Sequence, residues 1–352
     1  MAIKYLSGNR TFGTAAERPS IGGVTGWVEL GRTTLSSAGD NIDVTISNAA
    51  NYPNLMVLQQ TFPSSTSIQE RTRVNSDSGS NYASRQSISG GSDFTNTNRN
   101  NGYEYGDGQN HPNNFSVTYV NNIADQEKLA IHHWIGADTG AGTAPIRAES
   151  VGKWANTSDL ITTWNAYNAN SSADFAAGSE VVILGSNPSG GGSTTAWQEL
   201  ADVELTGTAS VIDSGTITAK KYLWIQFFKV SSGDSNFYLE FNSDTASNYA
   251  RRYSGNGGSD GTNTSAAYLM PAQSGGDYDV LFNGFIVNKS DKEKLLTGET
   301  ANANAEDSAN APMRREVVGK WANTSSQITN IKIKTATNNF ASGTRMVVWG
   351  FD

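Results

Sequence analysis

The chain of 352 residues holds three histidines, His111, His132 and His133, all in its first half. Histidine could serve as a general base or a metal ligand. On a strand, however, the adjacent His132 and His133 point to opposite faces, so the pair cannot chelate one ion. The three therefore read as structural or surface residues. Glycoside hydrolysis would need two carboxyl groups on facing elements, one of them perturbed upward to act as an acid. Glu29 and Glu199 recur in a Trp-x-Glu-Leu string, and Glu127 and Glu293 recur in a Glu-Lys-Leu string. Recurrence in both halves favours a scaffold role, each paired with a nearby Lys or Arg at a strand end. No local pattern marks an acid/base pair, so no catalytic residue and no enzymatic activity are expected.

Asp77, Asp93, Asp244 and Asp260 sit in Gly/Ser/Asn loops, where carboxylates and carbonyls could bind calcium. Their spacing lacks the alternating ligands, the central Gly and the closing Glu of a calcium loop, so turn formation is the better reading. Cysteine is absent, which excludes disulfides, a thiol nucleophile and Cys-based metal sites. No metal or cofactor is expected. Aromatic side chains that reach the surface could stack on sugar rings, and Tyr103, Tyr105, Trp134, Trp164 and Tyr167 are the candidates. The competing reading places them in sandwich cores and interfaces.

The elements that position these residues come in two copies. VGKWANTS occurs at Val151–Ser158 and again at Val318–Ser325, 167 positions apart. At the same offset, NSDSGSNYASRQSISGGSDFTNT (Asn75–Thr97) falls on NSDTASNYARRYSGNGGSDGTNT (Asn242–Thr264). Fixed-period similarity along whole segments is a tandem duplication. It divides the chain into an N-terminal arm (1–25), a first module (26–186), a Gly/Ser linker (187–195) and a second module (196–352). In VGKWANTS, Gly152 and Gly319 would allow a close backbone approach, Trp154 and Trp321 would be buried anchors, and Asn156 and Asn323 would form the turn that follows.

Short β-branched and aromatic runs such as IDVTIS, FSVTYV, YLWIQFF and MVVW alternate with turn residues, and no long segment keeps a helical period. In Phe115–Val120 the alternation predicts a strand with Phe115, Val117 and Tyr119 packed and Ser116 and Thr118 wet. Asp125–Leu129 and Asp291–Leu295 could form one helical turn each. The expected fold is all-β, as tandem duplicated jelly-roll-like antiparallel β-sandwiches of roughly eight strands each, with an extended N-terminal arm.

The formal charge of -8, with only 16% charged residues, is poorly suited to a phosphate backbone, so direct nucleic-acid binding is not expected. No stretch approaches a membrane span, and MAIKYLSGNR lacks the apolar core of a signal peptide. Lys4, Arg10 and Arg18 against a single Glu17 give the arm a positive balance suited to an acidic acceptor surface.

The opening MAIKYLSGNR and TFGTAAERP are similar to the start of virion structural proteins of tailed, especially aquatic, bacteriophages. The signature SNYARRYS, GGSDGTNTS, APMRREVVGKWANTSSQIT and FASGTRMVVWG resembles the same proteins. The resemblance covers both modules, the second more closely. The first departs from it at Pro145-Ile-Arg147-Ala-Glu149, where the second has Pro312-Met-Arg314-Arg-Glu316, and it inserts the Asn98–Asn114 loop. What the resemblance implies is a virion location and a capsid decoration or other head- or tail-attached assembly protein. Such a protein would be a homo-oligomer that meets capsid or other virion proteins through the arm. The alternative from another class is a carbohydrate-binding adhesin or tail-fibre-type receptor-binding module pair, with glycans as partners.

Overall fold

The computed structural model describes residues 5–6, 9–10, 27–65, 68–102, 111–170, 173–186, 196–230, 236–272, 279–303 and 312–352. Strands β1 (Tyr5–Leu6) and β2 (Asn9–Arg10) pair antiparallel. The rest of the expected arm lies outside the described residues, as do the linker at 187–195 and Tyr103 and Tyr105.

The chain is all-β. Residues 27–186 form β3 (Trp27–Thr34), β4 (Asn41–Thr45), β5 (Asn54–Thr61), β6 (Glu70–Val74), β7 (Tyr82–Ile88), β8 (Phe94–Arg99), β9 (Asn113–Asn121), β10 (Lys128–Ala137), β11 (Ile146–Trp154), β12 (Thr163–Asn168) and β13 (Glu180–Ser186). Eight of these make one antiparallel sheet in the order β3-β13-β5-β9-β10-β11-β7-β8, and β4-β12-β6 make a second, smaller sheet. Between the sheets lies a core that includes Ile42, Val44, Leu55, Val57, Trp154 and Trp164.

Residues 198–351 repeat the plan with β14 (Gln198–Glu204), β15 (Val211–Asp213), β16 (Tyr222–Lys229), β17 (Phe237–Phe241), β18 (Tyr249–Gly255), β19 (Gly261–Ala266), β20 (Leu269–Ala272), β21 (Val280–Val287), β22 (Lys294–Asn302), β23 (Met313–Trp321), β24 (Ile331–Thr335) and β25 (Arg345–Phe351). The large sheet runs β14-β25-β16-β21-β22-β23-β18-β19 and the small one β15-β24-β17-β20. Where β20 pairs Leu269 with Leu239, the first half has a single bridge between Gly102 and Thr72 at the matching positions. Each sandwich thus has more strands than the expected eight, in unequal sheets. Among them β8 (FTNTNR) and β19 (GTNTSA) are polar edge strands, so no apolar alternation marks them.

The two large sheets also pack against each other. Met56, Leu58, Phe115, Val117, Ile135, Val182 and Leu184 of the first meet Trp197, Tyr222, Phe285, Val287, Leu295, Val318, Trp349 and Phe351 of the second in one buried cluster. Trp197 is enclosed by the rings of Trp224, Phe285 and Phe351 at 5.8–6.1 Å. Burying such side chains stabilises a fold by roughly 1.5–3 kcal/mol each. This seam corrects the expected one-sided strand. On β9, Phe115 and Val117 face the other module, while Ser116 and Thr118, expected to be wet, are buried toward their own core. A sheet covered on both faces has no wet side.

The expected helical turns at Asp125–Leu129 and Asp291–Leu295 are hairpin turns. Asp125 has a φ of 62°, and Lys128 and Lys294 already begin β10 and β22.

Candidate functional site

The recurring residues converge on one bracket per sandwich. At the β6–β7 turn, Asn75 and Ser76 adopt φ values of 51° and 55°, and Asn242 and Ser243 repeat them at 51° and 56°. Asn tolerates this left-handed backbone because its short polar side chain bonds locally. The turn presents Asp77, whose carboxylate accepts bonds from Trp154 Nε1 at 2.6 Å, Asn81 Nδ2 at 2.9 Å and the Gly79 amide at 2.8 Å. Asp244 does the same with Trp321 at 2.7 Å, Asn248 at 2.8 Å and the Ala246 amide at 2.9 Å. Tyr82 and Tyr249 donate back to the carbonyls of Asp77 and Asp244. Asn75 Oδ1 accepts the Thr162 and Thr163 amides, and Asn242 Oδ1 those of Thr329 and Asn330.

Lys128 and Lys294 lie near the indoles of Trp154 and Trp321 and donate to the carbonyls of Asn156 and Asn323. A Cβ on Gly319 would meet the Leu269 side chain at 2.1 Å, so this glycine makes room for a side chain of β20 and not for a neighbouring backbone. VGKWANTS, NSD and SNYA therefore form an internal clamp joining β6, β7 and β11, and β17, β18 and β23.

Asp77 and Asp244 report on that clamp. Partial burial works to raise each carboxyl's pKa, but the hydrogen bonds from the tryptophan, asparagine and backbone amide outweigh it and hold both below the ordinary 3.8. A depressed folded-state pKa contributes stability above the unfolded value, and that stability is lost as pH falls through the folded value. Acid unfolding followed by circular dichroism should therefore shift to higher pH in Asp77→Asn and in Asp244→Asn. Unchanged acid midpoints would contradict the clamp.

The histidines are separated as strand geometry requires. His132 turns into the first sandwich, 2.8 Å from Thr118 Oγ1, and burial drives its pKa well below the ordinary value. His133 faces the second module and lies 2.8 Å from Glu299. Burial opposes its charge, but the Glu299 bond and charge, with Glu149 and Glu316 nearby, outweigh it and raise its pKa. Three of the four recurring glutamates pair as expected, Glu29 with Arg32, Glu127 with Lys153 and Glu293 with Lys320, whereas Glu199 forms no ion pair among the described residues.

The four loop aspartates also have partners. Asp93 pairs with Arg85, and the buried Asp260 with Arg147 at 2.7 Å across the seam. Among the described residues no group of three or more His, Cys, Asp or Glu is placed to hold a metal ion. No helix among them is long and apolar enough to cross a membrane.

Two of the sugar-stacking candidates are corrected. Trp164 is fully buried and Trp134 nearly so, both in the first core, so neither can meet a sugar. Tyr167 is partly buried, with the Arg73 guanidinium 4.3 Å from its ring.

One opening was not foreseen. Beyond the His133–Glu299 contact lies an inter-module cleft of about 550 Å³ lined by residues of both halves. Its lining combines Arg147, Glu149, Glu299 and Glu316 with Ile131, Val151, Arg85 and Arg314. Ile131 and Val151 are directly paired across β10 and β11 and are half-exposed. The glycine turns at Gly90-Gly91 and Gly257-Gly258, both from the recurring GGSD motif, also line the cleft. The repeated Arg-x-Glu on β11 and β23 was its one signal in the sequence.

No family model matches the chain, and no curated protein does. Among solved structures, domains LG4-5 of the mouse laminin alpha1 chain align at 11% identity and a TM-score of 0.20, covering 92% of this chain and 91% of that one. The LG1-3 region of the laminin alpha2 chain aligns at 8% identity and a TM-score of 0.21, covering 92% and 62%. At such scores neither likeness bears on function.

Proposed function

We propose that the protein is a structural component of a virion, a capsid decoration or other head- or tail-attached assembly protein without catalytic activity. The observation that carries this reading is where the recurring residues go. VGKWANTS, NSD and SNYA are spent on internal clamps, and the large sheets close on each other, so the duplication builds a rigid block. The signature's resemblance to phage virion proteins supplies the particle. In this reading residues 1–25 attach the block to an acidic surface of a capsid or other virion protein, or of a second copy.

Mass spectrometry of particles purified from cultures producing this chain tests the reading. A fixed copy number per particle is expected, and absence from washed particles would overturn it. A chain lacking residues 1–25 should melt like the full chain but fail to incorporate.

A second reading, a glycan-binding adhesin or receptor-binding protein, rests on the inter-module cleft. It combines a half-exposed apolar pair with donors and acceptors of both signs, which suits the apolar face and hydroxyl rim of a sugar. Saturable binding on a glycan array, lost in Ile131→Lys, would favour it.

A further inference from the structure

The first sandwich buries a carboxyl group that the second replaces with a phenyl ring. Glu70 on β6 pairs with Asn168 of β12, and Phe237 on β17 pairs with Thr335 of β24 at the matching register. The neighbouring positions differ in the same sense. Gln59 and Ser116 in the first half stand where Phe227 and Phe282 stand in the second. Phe227, Phe237 and Phe282 pack ring against ring, with Phe340 completing the cluster. In the first half the space is filled by Trp134, in the position of Thr300, whose ring lies so close to Gly136 that a Cβ there would clash.

Glu70 is about 5% exposed. Its Oε2 accepts a bond from Trp134 Nε1 at 3.1 Å, and its Oε1 accepts one from the Thr61 hydroxyl. The Gln59 amide is alongside it, 2% exposed, with neither polar atom in a well-formed hydrogen bond. The charge that acts on Glu70 is that of His111, which is itself 3.1 Å from Asp138 Oδ1. No Lys or Arg among the described residues forms an ion pair with Glu70. The other deeply buried glutamates differ: Glu180 has Lys221 and Arg32, and Glu240 has Lys334. A buried carboxylate without a cation is costly, and the group lowers that cost by keeping its proton.

We propose that Glu70 is a proton-operated switch built into the first sandwich alone. Protonated, it is a neutral member of the interior between β5, β6 and β10. Ionised, it loosens that end of the module while the second sandwich, with its phenylalanine cluster, is unaffected. Burial supports this by pushing the Glu70 pKa up to about 7, against the opposing pull of the Trp134 bond, the adjacent Gln59 amide and His111. The sign follows from proton linkage. Between the ordinary 4.5 and about 7 the native state holds a proton that the unfolded state has released, so stability falls as pH rises. The slope is about tenfold in the unfolding equilibrium per pH unit, and it flattens above the folded-state value.

The test compares the full-length wild type with Glu70→Gln, which keeps the shape and one acceptor oxygen without the charge. Hydrogen–deuterium exchange, corrected for its intrinsic pH dependence, is followed from pH 5 to 9 in peptides of β5, β6 and β10 and in those of β16, β17 and β22. The expected result is a loss of protection in the first set of the wild type as pH rises, absent in Glu70→Gln, with the second set alike in both proteins. Identical pH profiles in the two proteins would overturn the proposal. A second measurement needs no variant: infrared spectra of the wild type should contain a buried protonated-carboxyl band that disappears near pH 7. Absence of that band at pH 6 would also overturn it.

Discussion

Replacing Trp321 by alanine is expected to destabilise the chain by about 3–5 kcal/mol, as truncation of a buried indole typically does. Trp321 is 1% exposed, stacks on Tyr249 and packs on Phe241, and donates to Asp244. Truncation therefore opens a cavity and takes a donor from a carboxylate that depends on it. Trp154→Ala should behave alike, because Trp154 is equally buried and holds Asp77 in the same way. Thermal melts and urea titrations measure both losses. A variant that melts like the wild type would mean that the recurring tryptophan serves something outside the fold. Trp321→Phe, which keeps most of the volume but not the N–H, should fall between the two.

The second large effect is expected at the seam. Arg147 is 4% exposed, bonds to Asp260 at 2.7 Å and forms ion pairs with Glu149 and Glu316. Arg147→Met leaves the buried Asp260 with Arg252 at 3.7 Å as its remaining cation. Breaking a buried ion pair from one side costs roughly 3–5 kcal/mol, whereas replacing both partners with apolar groups is often close to neutral. Urea unfolding should accordingly show a large loss in Arg147→Met and in Asp260→Leu, with most of it recovered in the double variant. Additive losses would indicate that the two residues act separately.

Much of this architecture was legible in the sequence. The 167-residue repeat pointed to two similar halves, and the turn residues and β-branched runs pointed to antiparallel sandwiches. The anchoring role of Trp154 and Trp321 followed from their recurrence. Exposure was not legible. Trp134 and Trp164 looked able to reach sugars, yet both fill the first core, because composition does not say which way an aromatic side chain turns.

Ser116 and Thr118 looked wet because alternation implies a solvated face only when nothing covers it. Here the apolar face of β9 is covered by the other module, and its polar face lines a core that contains Glu70 and His132. The seam and the cleft were hidden for a related reason. Arg147 and Asp260, or His133 and Glu299, lie far apart in the chain, and only the way the sheets meet brings them together. β16 and β25 carry large apolar residues on both faces, one set in the second core and the other in the seam.

Docking of the two sandwiches through their own sheet faces, and not merely the chain that joins them, holds the halves together. Its most direct test is to introduce a protease site within residues 187–195, cleave the folded protein, and analyse it by size-exclusion chromatography without denaturant. The halves are expected to co-elute at the position of the uncut chain and to separate only when unfolded. Two halves that elute apart as folded species would contradict it.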